Sequence, residues 1–344
     1  MLRKFIILCL CSGLCSNVMT CHSMEAEVEV NNERLLTQDK AMDLIRQIDW
    51  ETGELVISGE FDSIDDNAFE KCDIIKSVRI DGNVKKIGKH AFSKCKYLNS
   101  VTLCEGVETI DTSAFYKCKE LVNVDIPNSV RKIGQSAFQK CEKLKDVNIP
   151  EGVEEISFEA FRDCRSFEHI KLPSTVKKID FAGFCNCKNL KSINLPEGLN
   201  ELEMMSFEGC KELKSINIPG SLESFGSHAF KGCKELKNVT ISEGVESIGW
   251  MGFQDCEELE SIELPNSVKK IEWFAFLDCD DLESITIPST IESIGDDTFK
   301  GCDDLKTVKI KYTGAITDDE KNRIRALFFK TRLNSGADII FVKS

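Results

Sequence analysis

The dominant feature of this sequence is a repeat of 23 residues. Eleven cysteines recur at this interval, and a phenylalanine stands three positions before each of them. The repeating unit reads A-F-x-x-C-x-x-L-x-x-V-x-I-P-x-x-V-x-x-I-G-x-x. A regular period of this length indicates a solenoid of stacked coils rather than several globular domains. The repeating cysteines, here called the ladder cysteines, are Cys72, Cys95, Cys118, Cys141, Cys164, Cys187, Cys210, Cys233, Cys256, Cys279 and Cys302.

Each unit combines two local periods. The V-x-I alternation predicts a short strand with one buried face, and the proline that often follows ends it. The spacing of three in A-F-x-x-C-x-x-L predicts a short helical or 3₁₀ turn. One unit cannot bury its own apolar positions, whereas stacked units can. We therefore predict an α/β solenoid, a right-handed coil with one parallel β-sheet of about eleven short strands, capped at both ends.

Two motifs link the repeat to a known family. The run L-x-x-V-x-I-P at 121–127 and the run I-G-x-x-A-F-x-x-C at 133–141 resemble the BspA-like leucine-rich repeats. The resemblance covers about residues 53–312, and residues 48–59 are similar to the N-terminal strand of that family. It implies a secreted or surface-exposed protein with roles in adhesion and in recognition of host or matrix proteins.

The N-terminus is typical of a secretory leader. Arg3 and Lys4 precede a short apolar stretch, so we predict a signal peptide over residues 1–23. This stretch is too short to span a membrane. A lipid anchor at Cys21 and a merely hydrophobic N-terminus are the alternatives. The leader, if functional, places the protein outside the cell or on its surface.

Both ends of the repeat array are predicted to be capped. Residues 24–52 form the N-terminal cap, with a helix at 38–48 that begins after Thr37. Residues 313–344 form the C-terminal cap. There, Thr317 and Glu320 make a capping box for a helix that carries Ile324, Leu327 and Phe328, and a final strand follows at 339–342. Exposed solenoid ends require such covers.

The cysteines predict a buried core rather than a metal or disulfide site. Each ladder cysteine occurs once per coil between apolar residues, where a free thiol behaves as a small hydrophobe. Bridges between neighbouring coils are geometrically conceivable but cannot pair eleven cysteines. Cys104 takes the usual proline position, and Cys185 stands two residues before Cys187, which leaves a small redox or metal site there as a weaker alternative.

Several function classes are disfavoured. A formal net charge of −14 argues against binding nucleic acid or anionic lipid without specificity. No sequence motif combines a nucleophile with a base and an orienting group. We therefore expect no enzyme activity, no cofactor and no metal. The function that remains is the binding of a protein partner. We therefore expect the chain to be a secreted or surface-exposed recognition or adhesion protein. An intracellular or periplasmic scaffold is the alternative, and an enzyme hidden in the caps a weaker one.

Two surfaces are candidates for binding that partner. On the predicted strands, outward positions are polar and free of aromatic residues; they include His169, Lys171 and Asn238. A solvated sheet face explains them equally well.

The second candidate surface lies six residues before the ladder cysteines. Early coils carry polar residues there, whereas later coils carry large apolar ones, interrupted by Ser227. Aromatic residues and methionine are enriched at protein interfaces. The alternative is that these side chains only pack on one another. We call this set the aromatic edge: Phe158, Phe181, Met204, Trp250 and Trp273, with Phe274 at the next position.

Overall fold

The computed structural model describes residues 34–59 and 61–344, so the predicted leader lies outside the described residues. The predicted solenoid of parallel strands is confirmed. The strand predicted from V-x-I pairs with its equivalents 23 residues away, as Val78 does with Val101. These strands form the main ribbon, in three sheets: Glu54–Ile57, Ser77–Ile80, Ser100–Leu103, Asn123–Asp125, Asp146–Val147; His169–Lys171, Ser192–Asn194, Ser215–Ile218, Asn238–Ile241; Ser261–Glu263, Ser284–Pro288, Thr307–Tyr312 and Asp338–Lys343.

A second parallel ribbon adds to the predicted architecture. Most coils carry a further strand of two residues, with its second residue buried, just before the A-F segment. We call this the minor ribbon. Its strands are Leu35–Leu36, Ser63–Ile64, Lys86–Ile87, Thr109–Ile110, Lys132–Ile133, Glu155–Ile156, Lys178–Ile179, Glu201–Leu202, Ser247–Ile248, Lys270–Ile271 and Ser293–Ile294.

The A-F-x-x-C segment forms the third side of each coil as a hydrogen-bonded turn. Within the turn, the N–H of Cys95 donates to the carbonyl of Phe92 three residues earlier, as the spacing predicts. Between coils, the N–H of Phe92 donates to the carbonyl of Ala114, at 2.8 Å. Because backbone bonds join the coils on all three sides, equivalent residues stay in register along the whole repeat.

The core is a set of identical residues stacked coil upon coil. The repeat phenylalanines from Phe69 to Phe299 are buried, and their rings stack at centroid distances of 5.0–6.0 Å. The ladder cysteines lie beside them, and each thiol from Cys95 to Cys302 donates to the carbonyl of the repeat phenylalanine in the preceding coil. Burying one such ring contributes about 1.5–3 kcal/mol, so stacking neighbours is what stabilises each coil.

Both caps contain the predicted helices, with shorter bounds. The first helix, α1, is Gln38–Ile45 and is capped by Thr37; the predicted continuation to residue 48 is a turn instead. The second, α2, is Asp318–Ala326, and the Thr317–Glu320 capping box is present. Leu327 and Phe328 therefore follow the helix, and Phe328 extends the stack of rings by packing on Phe299 at 6.2 Å.

Candidate functional site

The backbone sets the position of the aromatic edge. Each edge residue lies between the minor ribbon and the buried A-F pair, and its carbonyl accepts an N–H from the preceding coil. The N–H of Ser136 donates to Phe158 at 2.8 Å, and the N–H of Met251 donates to Trp273 at 3.1 Å. These bonds place one edge side chain on every coil at the same register. The edge is therefore a regular row on one side of the solenoid.

The edge side chains are largely outside the core. Phe158 is 38% exposed, Met204 37%, Trp250 41% and Trp273 56%, while Phe181 is half-buried. By contrast, the repeat phenylalanines, which stand three residues after each edge position, are buried in the core. Large apolar side chains with this exposure recur on neighbouring coils on both sides of Ser227, and exposed apolar clusters of this kind often mark interaction sites.

The spacing of neighbouring coils predicts that Phe158 lies beside Phe181 and Trp250 beside Trp273, and the first pair is arranged in this way. The rings of Phe158 and Phe181 stack on adjacent coils, with centroids 5.0 Å apart and planes within 15°. Met204 occupies the next coil. In this part of the edge the two rings therefore pack on each other and also remain partly open to solvent.

The two tryptophans do not stack on each other, contrary to the simple expectation from coil spacing. Trp250 makes an edge-to-face contact with His228 in the preceding coil, at 4.9 Å. Trp273 instead lies against Gly295 of the following coil, where a Cβ would come within 2.3 Å of indole Cδ1. The two indoles therefore contact opposite neighbours, and in the described residues no ring contact joins them.

His228 is a member of the site that sequence reasoning missed. It follows Ser227, the polar interruption of the edge, and its ring fills part of that gap by packing on Trp250. Burial, together with nearby Lys231, lowers the pKa of this imidazole, so it is neutral at pH 7. Its Nδ1 is buried and has no hydrogen-bond partner in the described structure. The polar break at Ser227 in the aromatic edge is therefore partly covered by the neutral ring of His228, and it is narrower and more apolar than the sequence indicates.

Phe274 lies beside Trp273 in a left-handed backbone conformation, with φ 59°. Met251, one coil earlier, has φ 54°. Such values are uncommon for large residues and favour glycine or asparagine. Both side chains are half-buried. The apolar residues at this position are therefore not explained by backbone preference alone, and they widen the apolar surface around the two tryptophans.

The strand residues singled out from the sequence lie elsewhere on the coil. His169 and Lys171 are exposed on the main ribbon, and Nδ1 of His169 is 2.7 Å from Oγ of Ser192 on the next strand. Asn238 is exposed at the start of Asn238–Ile241. The structure thus separates the two candidate surfaces, since the main ribbon and the A-F turn form different sides of the coil.

A cleft on the main ribbon has no counterpart in the sequence predictions. It lies where Asn238–Ile241 and Ser261–Glu263 belong to different sheets, and its volume is about 360 Å³. Thr240 and Asn266 are among its lining residues. Across it, Lys311 Nζ contacts Glu263 Oε1 at 2.7 Å, two coils apart in sequence. The cleft therefore contains one ion pair among both polar and apolar lining residues.

The thiols in the repeat show no sign of reactivity. Burial raises the pKa of the Cys185 thiol to about 12, despite the opposing charge of Arg162, and burial also raises the pKa of the Cys187 thiol well above its ordinary value. Both groups are therefore protonated at neutral pH, which disfavours nucleophilic or ligand chemistry. In residues 34–59 and 61–344, no group of three or more histidine, cysteine or acidic side chains is arranged to hold a metal ion.

Neither α1 nor α2 approaches the length and apolar character that crossing a membrane requires, and the same holds for the rest of the described chain.

Comparison with solved structures gives a similar fold in one case and weaker matches in two others. The pneumococcal vaccine antigen PcpA is 24% identical, with a TM-score of 0.51, and the match covers 84% of this chain and 85% of that one. A leucine-rich cell surface protein of Faecalibacterium prausnitzii is 26% identical, with a TM-score of 0.43 and coverage of 79% and 90%. A leucine-rich repeat protein of Bacteroides ovatus is 24% identical, with a TM-score of 0.46 and coverage of 84% and 92%. No match was found among curated proteins.

A family model agrees with the repeat and the geometry described above. The BspA type leucine-rich repeat region matches residues 62–189, 154–257 and 223–320, in six copies. These segments overlap and together span most of the chain, including the whole aromatic edge. The chain belongs to the BspA-type leucine-rich repeat family.

Proposed function

We propose that this protein is a secreted or surface-exposed recognition protein that binds a protein partner through the aromatic edge. The observation that carries the proposal is the row of exposed apolar side chains at one register of several later coils. Early coils carry Asp66, Lys89, Thr112 and Gln135 at the same position, so the fold does not require apolar residues there. Their presence in later coils therefore favours a binding role.

The shape of the edge favours one elongated partner. Phe158, Phe181 and Met204 form a first apolar group, and Trp250 with Trp273 forms a second, with His228 between them. Binding energy at protein interfaces concentrates in a few large side chains, among which tryptophan is prominent. We expect the two tryptophans to contribute most of the affinity.

Localisation outside the cell is part of the same proposal. It is supported by the leader-like N-terminus, by membership of the BspA-type family, and by neighbours described as a cell surface protein and a vaccine antigen. A host or matrix protein is then the class of partner to test first.

Affinity capture tests the proposal and identifies the partner. The purified protein, the double variant Trp250→Ser with Trp273→Ser, and the control Trp50→Ser serve as parallel baits in extracts of host cells and matrix. Trp50 is 71% exposed and lies outside the repeats, so it controls for loss of an exposed indole. We expect a protein that is retained by the wild type and the control but not by the double variant. Retention of the same proteins by all three baits would contradict the proposal.

A further inference from the structure

The residues that flank the ladder cysteines carry opposite charges toward the two ends of the solenoid. In the first four coils a lysine directly precedes the cysteine, and in two of these coils a lysine also follows it. In the last three coils the same positions are acidic, with the exception of Gly301. We call these sets the basic block and the acidic block. The basic block is Lys71, Lys94, Lys117, Lys140, Lys96 and Lys119, and the acidic block is Asp255, Asp278, Glu257, Asp280 and Asp303.

Most carboxylates of the acidic block form no ion pair within the described residues. Glu257 pairs with Lys234, but within the described residues the four aspartates of the block form no ion pair. Burial and the neighbouring carboxylates of Glu257 and Asp278 raise the pKa of Asp280. Burial likewise raises the pKa of Asp255, where the attraction of Lys231 is outweighed. Carboxylates on successive coils thus repel one another, and a cationic surface placed against them would relieve this repulsion.

Near the N-terminal end of the solenoid, the lysines of the basic block are only partly neutralised by ion pairs. Lys71 and Lys94 share one carboxylate, Glu70, at 3.6 and 3.1 Å. Lys119 is paired with Glu142 at 2.9 Å. By contrast, Lys117 and Lys140 make no ion pair in the part of the chain that the structure describes.

Backbone preference does not account for the lysines. The residue before the ladder cysteine adopts a left-handed conformation, with φ between 58° and 63° for the four lysines. Glycine, asparagine and aspartate adopt this conformation at least cost, and later coils carry such residues, including Asn186, Gly209 and Asp278. Lysine at four successive positions of this kind therefore points to a role on the surface.

The two blocks share one spacing because the same backbone bonds join their coils. The N–H of Lys94 donates to the carbonyl of Tyr116 at 2.7 Å, and the N–H of Asp255 donates to the carbonyl of Leu277 at 2.9 Å. The charged positions of both blocks therefore recur in every coil of the block with the same coil-to-coil spacing. We propose that the acidic block binds the basic block of a second copy of this chain, charge against charge over several coils. Neither block contains a residue of the aromatic edge, so this self-association is independent of the partner proposed above.

Charge reversal and complementation test this proposal. The first variant carries Asp278→Lys with Asp280→Lys, and the second carries Lys117→Glu with Lys140→Glu. Lysine is compatible with the backbone at position 278, since Lys117 has φ 59° at the equivalent position. A control, Asp125→Lys with Asp146→Lys, changes the net charge by the same amount as the first variant. It does so on the exposed face of the main ribbon, away from both blocks. Circular dichroism confirms that each variant is folded, and sedimentation velocity reports the oligomeric state.

The expected results follow from the charges. The wild type and the control associate at about 50 mM salt and dissociate at about 500 mM, where screening is strong. Each block variant alone is monomeric at low salt, because the altered block loses most of its net charge and no longer attracts the opposite block of a second copy. In a mixture, the intact basic block of the first variant can still meet the intact acidic block of the second. An equimolar mixture of the two block variants associates again. A monomeric wild type at low salt, a mixture that stays monomeric, or loss of association in the control would overturn the proposal.

Discussion

Replacing a ladder cysteine by serine tests whether these thiols act as buried apolar groups. Cys187 is fully buried, and its Sγ lies 3.3 Å from the carbonyl oxygen of Phe161. A C–O bond is shorter than a C–S bond, so the serine Oγ would lie farther from that carbonyl, whereas O–H···O bonds need about 2.5–3.0 Å. Cys187→Ser therefore buries a poorly bonded hydroxyl, which costs about 1–3 kcal/mol.

Thermal or urea unfolding measures this cost. For domains of about 150–250 residues, each kcal/mol lowers the thermal midpoint by about 2–4 °C. The matched control is Cys104→Ser, because Cys104 is only half-buried although its Sγ also donates to a carbonyl, that of Gly82, at 3.1 Å. Solvent can satisfy the hydroxyl there, and we expect a change within about 0.5 kcal/mol. Equal effects of the two substitutions would refute the argument that burial of the thiol decides the cost.

Four further outcomes are expected. Intact mass of secreted material should lack the leader, whereas a soluble intracellular product that retains Met1 would remove the argument for secretion. Thiol titration should find the ladder cysteines unreactive in the native protein and reactive after denaturation without reductant; mostly oxidised sulfurs would favour disulfides instead. Gly295→Ala should destabilise the protein by more than about 1 kcal/mol, because its Cβ would overlap Trp273, while Gly336→Ala, with only one distant neighbour, should not; equal midpoints would contradict this. Asp280→Asn should raise the thermal midpoint at neutral pH, because a raised folded-state pKa means that the carboxylate costs stability above that pKa, and the gain should vanish as pH falls below it.

The repeat made the core predictable from sequence. The residues that recur every 23 positions are the buried ones, because each coil can bury its apolar side chains only against copies of itself. For this reason Phe92 and Phe115 stack as expected, and Cys118 lies in the core. The capping box at Thr317 was also predictable, since it depends on local residue types alone.

Other features depend on geometry that the sequence does not signal. A strand of two residues, such as Lys132–Ile133, is too short to produce a detectable alternation. Left-handed conformations at Lys94 and Met251 are not indicated by those residue types. The contact of His228 with Trp250 depends on side-chain conformation. The cleft near Thr240 arises where strand pairing is interrupted, although the 23-residue spacing of the ladder cysteines continues through that point.

Affinity of the purified partner for the edge variant tests the central claim most directly. Trp250→Ser with Trp273→Ser removes two indoles that are already 41% and 56% exposed, and serine occurs naturally at the equivalent Ser227, so the fold should survive. We predict that affinity falls more than tenfold, or by more than about 1.4 kcal/mol, with a small change in thermal midpoint. The Trp50→Ser control should bind like the wild type. Unchanged affinity in the folded double variant would contradict the account and direct the search to the strand residues around His169 and Asn238.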